Sequence, residues 1–207
     1  FTADDDNALW RRGWIKQDSL EQYGRIVIAL DPATTNNTGS DETGIVVAGL
    51  GGDQRGYVLA DESGKFRPEE WARRAISLYD TFSADCIVAE VNQGGDMVEA
   101  LIKAEARGRT IPVRKVTATR AKHVRAEPVA ALYEQGKVRH AQEFPTLEDQ
   151  MCAFTVDFDR KAQGYSPDRV DALVWAMTDL FPAMVAKPQN PAIVIPPRIG
   201  LGASRRV

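Results

Sequence analysis

RIVIALDPATT, residues 25–35, decides the reading of this chain: Ile26, Val27, Ile28, Ala29 and Leu30 follow one another without a polar interruption and stop at Asp31. A continuous apolar run of this length, closed by turn residues, is the pattern of a central strand covered on both faces. An Asp ahead of Pro32 and Thr34 is, in the plain reading, a turn residue. At the end of a buried strand it is also a carboxylate fixed by a rigid element, and a rigid element holds a metal ligand better than a loop does.

Working outward, NNTGSDETG (36–44) reads as a turn and GIVVAGL (44–50) as a second strand. GGDQRG then turns the chain into YVLADES (57–63), so the first three strands form an antiparallel meander. After that the period changes. Pro68 is placed to open a helix, and Trp71, Ala75, Leu78, Tyr79 and Phe82 recur at helical spacing. DCIVAE (85–90) is a fourth strand ending in Glu90, GGDMVEALIKAEARG a helix closed by Gly108, and IPVRKV (111–116) a fifth strand. A helix with a kink expected at Pro128 runs to Gln135, and the KVRH that follows is too short to assign. Leu147, Met151 and Phe154 mark another helix face. In SPDRVDALVWAMTDLF (166–181), Ser166 is the expected N-cap, Pro167 the first helical residue, and Val170, Leu173, Val174, Met177 and Phe181 the core stripe. The order predicts an α/β fold: a mixed sheet of about five or more strands, the first three antiparallel, flanked by helices.

The flanks read differently. Residues 1–24 hold Asp4, Asp5 and Asp6, then Trp10, Trp14 and Ile15, the pattern of an acidic linker leading into a short amphipathic helix, a connector and not a core element. The chain opens on Phe1, so a piece of a longer protein is expected. Beyond Pro182 the tail (183–207) carries four more prolines without a period and is expected to be extended or disordered. The composition is that of a soluble globular protein, with 43% hydrophobic and 27% charged residues, and no apolar run is long enough to span a membrane. Cys86 and Cys152 lack metal-ligand spacing and read as reduced packing residues of an intracellular protein.

Three acids stand out by position. Asp31 ends the first strand, Glu90 ends the fourth, and Asp171 lies about one turn inside the last long helix. If the first and fourth strands are parallel neighbours, their carboxyl ends lie side by side, where ligand chemistry gathers in open α/β sheets. Clustered carboxylates repel one another unless a cation holds them. Hard oxygen ligands select Mg²⁺ or Mn²⁺, and two such ions activate a water and stabilise the leaving oxygen of a phosphodiester. Asp168 reads most simply as a first-turn acid that favours the helix dipole, yet it lies three residues from Asp171 and shares its face, so either acid reaches the cluster. Asn92, Gly94 and Gly95 behind Glu90 suggest a turn suited to phosphate.

The net charge of −3 hides an asymmetry. Between Arg114 and His140 stand seven Lys or Arg against two Glu, and both histidines of the chain. Arg120, Lys122, His123 and Arg125 occupy little more than a helical turn. A solvated helix face is the plain reading; contact with a phosphate backbone is the functional one once a phosphodiester-cleaving cluster shares the domain. Few aromatics are interleaved, so base stacking is not expected there.

VIALDPATT, IVAEVNQGG, TRAKHVRAEPVAALYEQGKVRH and SPDRVDALVWAM, in this order over residues 25–182, resemble the C-terminal nuclease domain of the large terminase subunit of tailed bacteriophages, an RNase H-like domain. The resemblance implies a metal-dependent endonuclease that cuts concatemeric double-stranded viral DNA during genome packaging in the host cytoplasm. It implies Asp31, Glu90 and Asp171 as the catalytic, metal-binding acids, with Asp168 a further metal ligand and Asp61 an acid that either supports the ligands from behind or serves the structure. It also implies an ATPase motor domain in the same full-length protein, with the portal and small terminase subunit as further partners. No G-x-x-x-x-G-K-[ST] occurs in the sequence, so the motor lies outside this chain. Two other readings stand beside it. DPATTNNTG faintly resembles the phosphate turn of actin-like sugar kinases, although such proteins use two such domains. A non-catalytic DNA-binding module would keep the acids for structure alone.

Overall fold

The computed structural model describes residue 5 and residues 7–33, 42–91, 96–158 and 164–185. The meander is present: β1 (Arg25–Asp31), β2 (Gly44–Leu50) and β3 (Gly56–Asp61) pair antiparallel in sequence order. Helix α1 (Pro68–Thr81) then crosses to β4 (Cys86–Glu90), and α2 (Asp96–Glu105) to β5 (Val113–Val116). Strand β4 runs parallel to β1 and β5 parallel to β4, as helical crossovers require. Further along lie α3 (Lys122–Glu134), β6 (Val138–His140), α4 (Pro145–Cys152), α5 (Asp168–Leu180) and α6 (Pro182–Val185). The result is one six-stranded mixed sheet in the order β5-β4-β1-β2-β3-β6.

Strand alternation decides what faces what. Val27 and Ala29 of β1 join a core cluster shared with α3, α4 and α5, whereas Ile28 and Leu30 join the opposite cluster with α1 and α2. All four are fully buried, and covering each of the larger side chains is worth about 1.5–3 kcal/mol. That two-sided burial is why β1 carries an unbroken apolar run. In β4, Cys86 and Val88 belong to the α5 side. Asp31 and Glu90 fall in phase with those residues, each one step beyond the paired Leu30 and Ala89, so both acids emerge at neighbouring strand ends beneath α5.

A bulge completes the arrangement. Ala48 pairs with Val58 but Val47 with Ala60, which leaves Leu59 extra. Both Leu59 and Ala60 consequently lie on the α1 and α2 side, and Asp61 returns opposite Val46 on the α5 side. Re-aiming a side chain near a site is a common use of a bulge.

Several expectations change. KVRH yields a real strand, β6, parallel to β3. Ser166 is not the N-cap of α5: that place is taken by Pro167, and Asp168 is the first helical residue. No side chain caps the helix at that position. Among the described residues of 1–24 the expected amphipathic helix is a 3₁₀ turn, Arg12–Trp14, and part of the segment packs into the core. Trp10 is fully buried, edge-on to Tyr133 and Phe154. The Leu9 N–H donates to the Phe154 carbonyl (2.8 Å) and the His140 N–H to that of Lys16 (2.9 Å). The acidic residues gave the segment its polar look, while the groups that bury Trp10 come from far along the chain. The turn at 36–41, the turn at Asn92–Gly95 and the tail beyond residue 185 lie outside the described residues; Pro182–Val185 is helical.

Candidate functional site

Three acids, Asp31, Asp168 and Asp171, meet where β1 ends under the first turn of α5, and Glu90 lies at the neighbouring end of β4. Carboxylate oxygens of Asp31, Asp168 and Asp171 all lie within 4.8 Å of one another. Glu90 stands beside them, turned toward α3 and α5. Asp168, Asp171 and Glu90 are buried, and Asp31 is half-buried. Both acids of the last helix therefore reach the cluster. Asp168 is a first-turn acid, as the plain reading had it, but it is covered and faces Asp31.

Close approach of α5 depends on Gly44. This residue opens β2 directly opposite Asp31, and a Cβ built there would stand 2.0 Å from the Asp168 carbonyl oxygen. Only a glycine lets the helix start rest on the strand at that point. Arg169, between the two acids, then locks the turn. Its Nη1 donates to Asp61 Oδ2 (2.6 Å), its Nε to Glu42 Oε2 (2.9 Å) and its Nη2 to the Ser63 carbonyl (3.2 Å). Asp61 is structural, holding Arg169 rather than joining the cluster. At the other end of α5, the enclosed carboxylate of Asp179 accepts from Arg25 and Arg114, each at 2.6 Å.

The basic stretch does not fold into one outward patch. Lys122 Nζ hydrogen-bonds Asp171 Oδ2. Arg125 donates from Nη2 to Asp171 Oδ1 (3.2 Å) and from Nη1 to Glu90 Oε2 (3.5 Å), with its guanidinium 4.6 Å above the Trp175 ring. Arg114 goes to Asp179, Lys115 to Glu99 (2.9 Å), and His140 is wholly buried between Tyr133 and Glu148. Arg120 stays exposed and His123 half-exposed at the start of α3. Two of the four residues expected to meet phosphate thus face carboxylates first.

Burial pushes the Asp31 carboxyl well above the ordinary range, and Asp171, Glu90 and Asp168 push it further, with Lys122 opposing. Burial also raises Asp171, against the pull of Lys122 and Arg125. Lys122 is lowered by its own burial but raised more by Asp171 and Asp31, for a net upward shift. One ammonium and one guanidinium do not balance four carboxylates. A set of hard oxygen donors with unbalanced negative charge suits a divalent hard cation.

Sequence reading missed Gly44, Arg169 and Trp175. Each had a signal: a glycine at a strand start, a cation between two acids, and an indole four residues after Asp171 on the same helical face.

A six-stranded mixed sheet, acids at the ends of two adjoining parallel strands and further acids on the helix that covers them define an RNase H-like domain. The chain belongs to the terminase RNase H-like domain family, which matches residues 28–180. Among solved structures it is similar to the nuclease domain of the large terminase subunit of bacterial virus Sf6, with TM-score 0.64 and 15% identity over 88% of this chain and 100% of that one. It is also similar to the large terminase nuclease of thermophilic phage G20c, with TM-score 0.59 and 18% identity over 83% of this chain and 98% of that one. A magnesium-bound structure of the G20c nuclease matches with TM-score 0.60 and 17% identity over 84% of this chain and 98% of that one. No curated protein matches the chain. Among the described residues, no helix is long and apolar enough to cross a membrane.

Proposed function

We propose that this chain is a divalent-metal-dependent DNA endonuclease that hydrolyses phosphodiester bonds of double-stranded viral concatemers during genome packaging. The observation that carries the reading is the convergence of Asp31, Asp168 and Asp171, with Glu90 alongside, at rigid strand and helix ends. Family membership adds to it, as do the similar G20c and Sf6 nucleases, described with bound magnesium and with manganese.

In this reading Asp31, Glu90, Asp171 and Asp168 hold Mg²⁺ or Mn²⁺, two ions being expected. Such ions, when bound, activate a water and stabilise the leaving oxygen. The chain's own groups do the rest. Strand ends keep Asp31 and Glu90 at fixed spacing, and the locked first turn of α5 does the same for Asp168 and Asp171. Lys122 and Arg125 balance part of the acidic charge and stand ready beside an incoming phosphate. Arg120 and His123 contact the DNA backbone from the entrance of α3, without reading sequence.

The domain limits belong to the same reading: residues 25–182 as the nuclease unit, 1–24 as the link to an ATPase motor in the full-length protein, and 183–207 as a tail. The portal and small terminase subunit are its further partners, in the host cytoplasm.

Supercoiled plasmid incubated with Mg²⁺ or Mn²⁺ is expected to be nicked or linearised by the wild type and left intact by Asp31→Asn. Cleavage at full rate by that variant, or salt-sensitive DNA binding with no metal-dependent hydrolysis by the wild type, contradicts the reading.

A further inference from the structure

The geometry points to Trp175 as a positioning residue: its indole N–H occupies one oxygen of Glu90, so that this carboxylate offers a cation its other oxygen alone. Trp175 Nε1 donates to Glu90 Oε2 at 2.5 Å. Arg125 Nη1 addresses the same oxygen at 3.5 Å, so among the described residues both side-chain donors to Glu90 fall on Oε2. The contact is enclosed, with Trp175 7% and Glu90 8% exposed.

A tryptophan that only fills a core needs no acid for its N–H. This one is aimed at the single cluster acid that comes from β4, while sitting one turn after Asp171 on α5. The helix that supplies two ligands thus also orients a third from the sheet. Arg125 closes the unit, its face over the indole and its edge on Asp171. The chemistry of the donors divides the work. Lys122 and Arg125 are cations and cancel charge that would otherwise attract a metal, whereas an indole N–H is neutral, fixing the carboxylate's rotation and leaving its charge intact. Hydrogen bonds of this kind around metal ligands typically change metal affinity about 10- to 100-fold when removed.

The inference rests on the metal-binding reading above, and the two are separable. Trp175→Phe keeps an aromatic ring beneath Arg125 and deletes only the N–H and part of the volume. Calorimetric titration with Mn²⁺ is expected to give binding about tenfold weaker in Trp175→Phe than in the wild type. In the metal-free wild-type chain, the Trp175 indole N–H is expected to resonate well downfield of the other indoles in a ¹H–¹⁵N spectrum. Glu90→Gln should bring it back, and Mg²⁺ should shift it in the wild type. Equal Mn²⁺ affinity in wild type and Trp175→Phe, or an indole signal indifferent to Glu90→Gln, overturns this inference and leaves the metal reading intact. Failure of the wild type to bind Mn²⁺ overturns both.

Discussion

At Asp31 two requirements oppose each other. The strand end that suits it to the proposed cation also buries it among three other acids, and its carboxyl is raised well above the ordinary value, about 3.9, by burial first and by Asp171, Glu90 and Asp168 next. A group with a raised folded-state pKa binds its proton more tightly folded than unfolded. Its ionisation therefore subtracts stability as pH rises through the window between the ordinary value and the raised one, and costs nothing below both. Asp31→Asn is thus expected to melt above the wild type at pH 8 without metal, with the gap closing toward pH 4; a variant that melts below the wild type at pH 8 contradicts this. Asp31 and Glu90 were legible in the sequence because a polar residue that ends a fully apolar run is conspicuous. For Lys122 and Arg125 charge was legible and direction was not. A basic run looks alike whether it faces water or four carboxylates, and only the tertiary arrangement of α3 against α5 decides.

At the scale of elements, α5 is the piece that makes the site. It is tied down at one end by Arg169 to Asp61 and Glu42, and at the other by Asp179 to Arg25 and Arg114. Its apolar stripe was readable from period alone, and all five expected core residues pack on the sheet. What period could not supply is the bulge at Leu59 that turns Asp61 toward Arg169, since one extra residue leaves no mark in a short apolar strand. Nor could it supply the contact at Gly44. Adding a methyl group there places it against helix backbone, which cannot swing aside. Gly44→Ala is expected to cost about 1–3 kcal/mol, which at about 2–4 °C per kcal/mol for a chain of this size lowers Tm by several degrees. It should also weaken Mn²⁺ binding, because Asp168 and Asp171 move with the helix start. A variant matching the wild type in both melting and titration would show that the approach is not tight.

Over the whole molecule, five strands, the antiparallel meander of the first three and the helical crossovers to the last two were open to sequence reading, whereas the order across the sheet came with the structure. The sixth strand was not legible either, because three residues carry no period and β6 exists only by pairing with β3. The N-terminal strap was hidden for a similar reason. Residues 8–18 gain their structure from bridges to Thr155 and His140 and from the cage around Trp10, all distant in sequence. The strap seals the face of the sheet that carries the site. Trp10→Ala is expected to cost about 3–5 kcal/mol, seen as a lower midpoint in urea with little change of slope; an unaltered midpoint would mean that the strap is an ornament on an independent core.

The proposed chemistry requires that the acids of β1, β4 and α5 share a cation. A crystal structure of the chain soaked in Mn²⁺, with anomalous scattering to mark the metal, tests this most directly. Manganese coordinated by Asp31 together with Asp168 or Asp171, and by Glu90 through Oε1, is the predicted result. Well-ordered carboxylates with no anomalous peak between them, at Mn²⁺ concentrations that saturate similar nucleases, would contradict it.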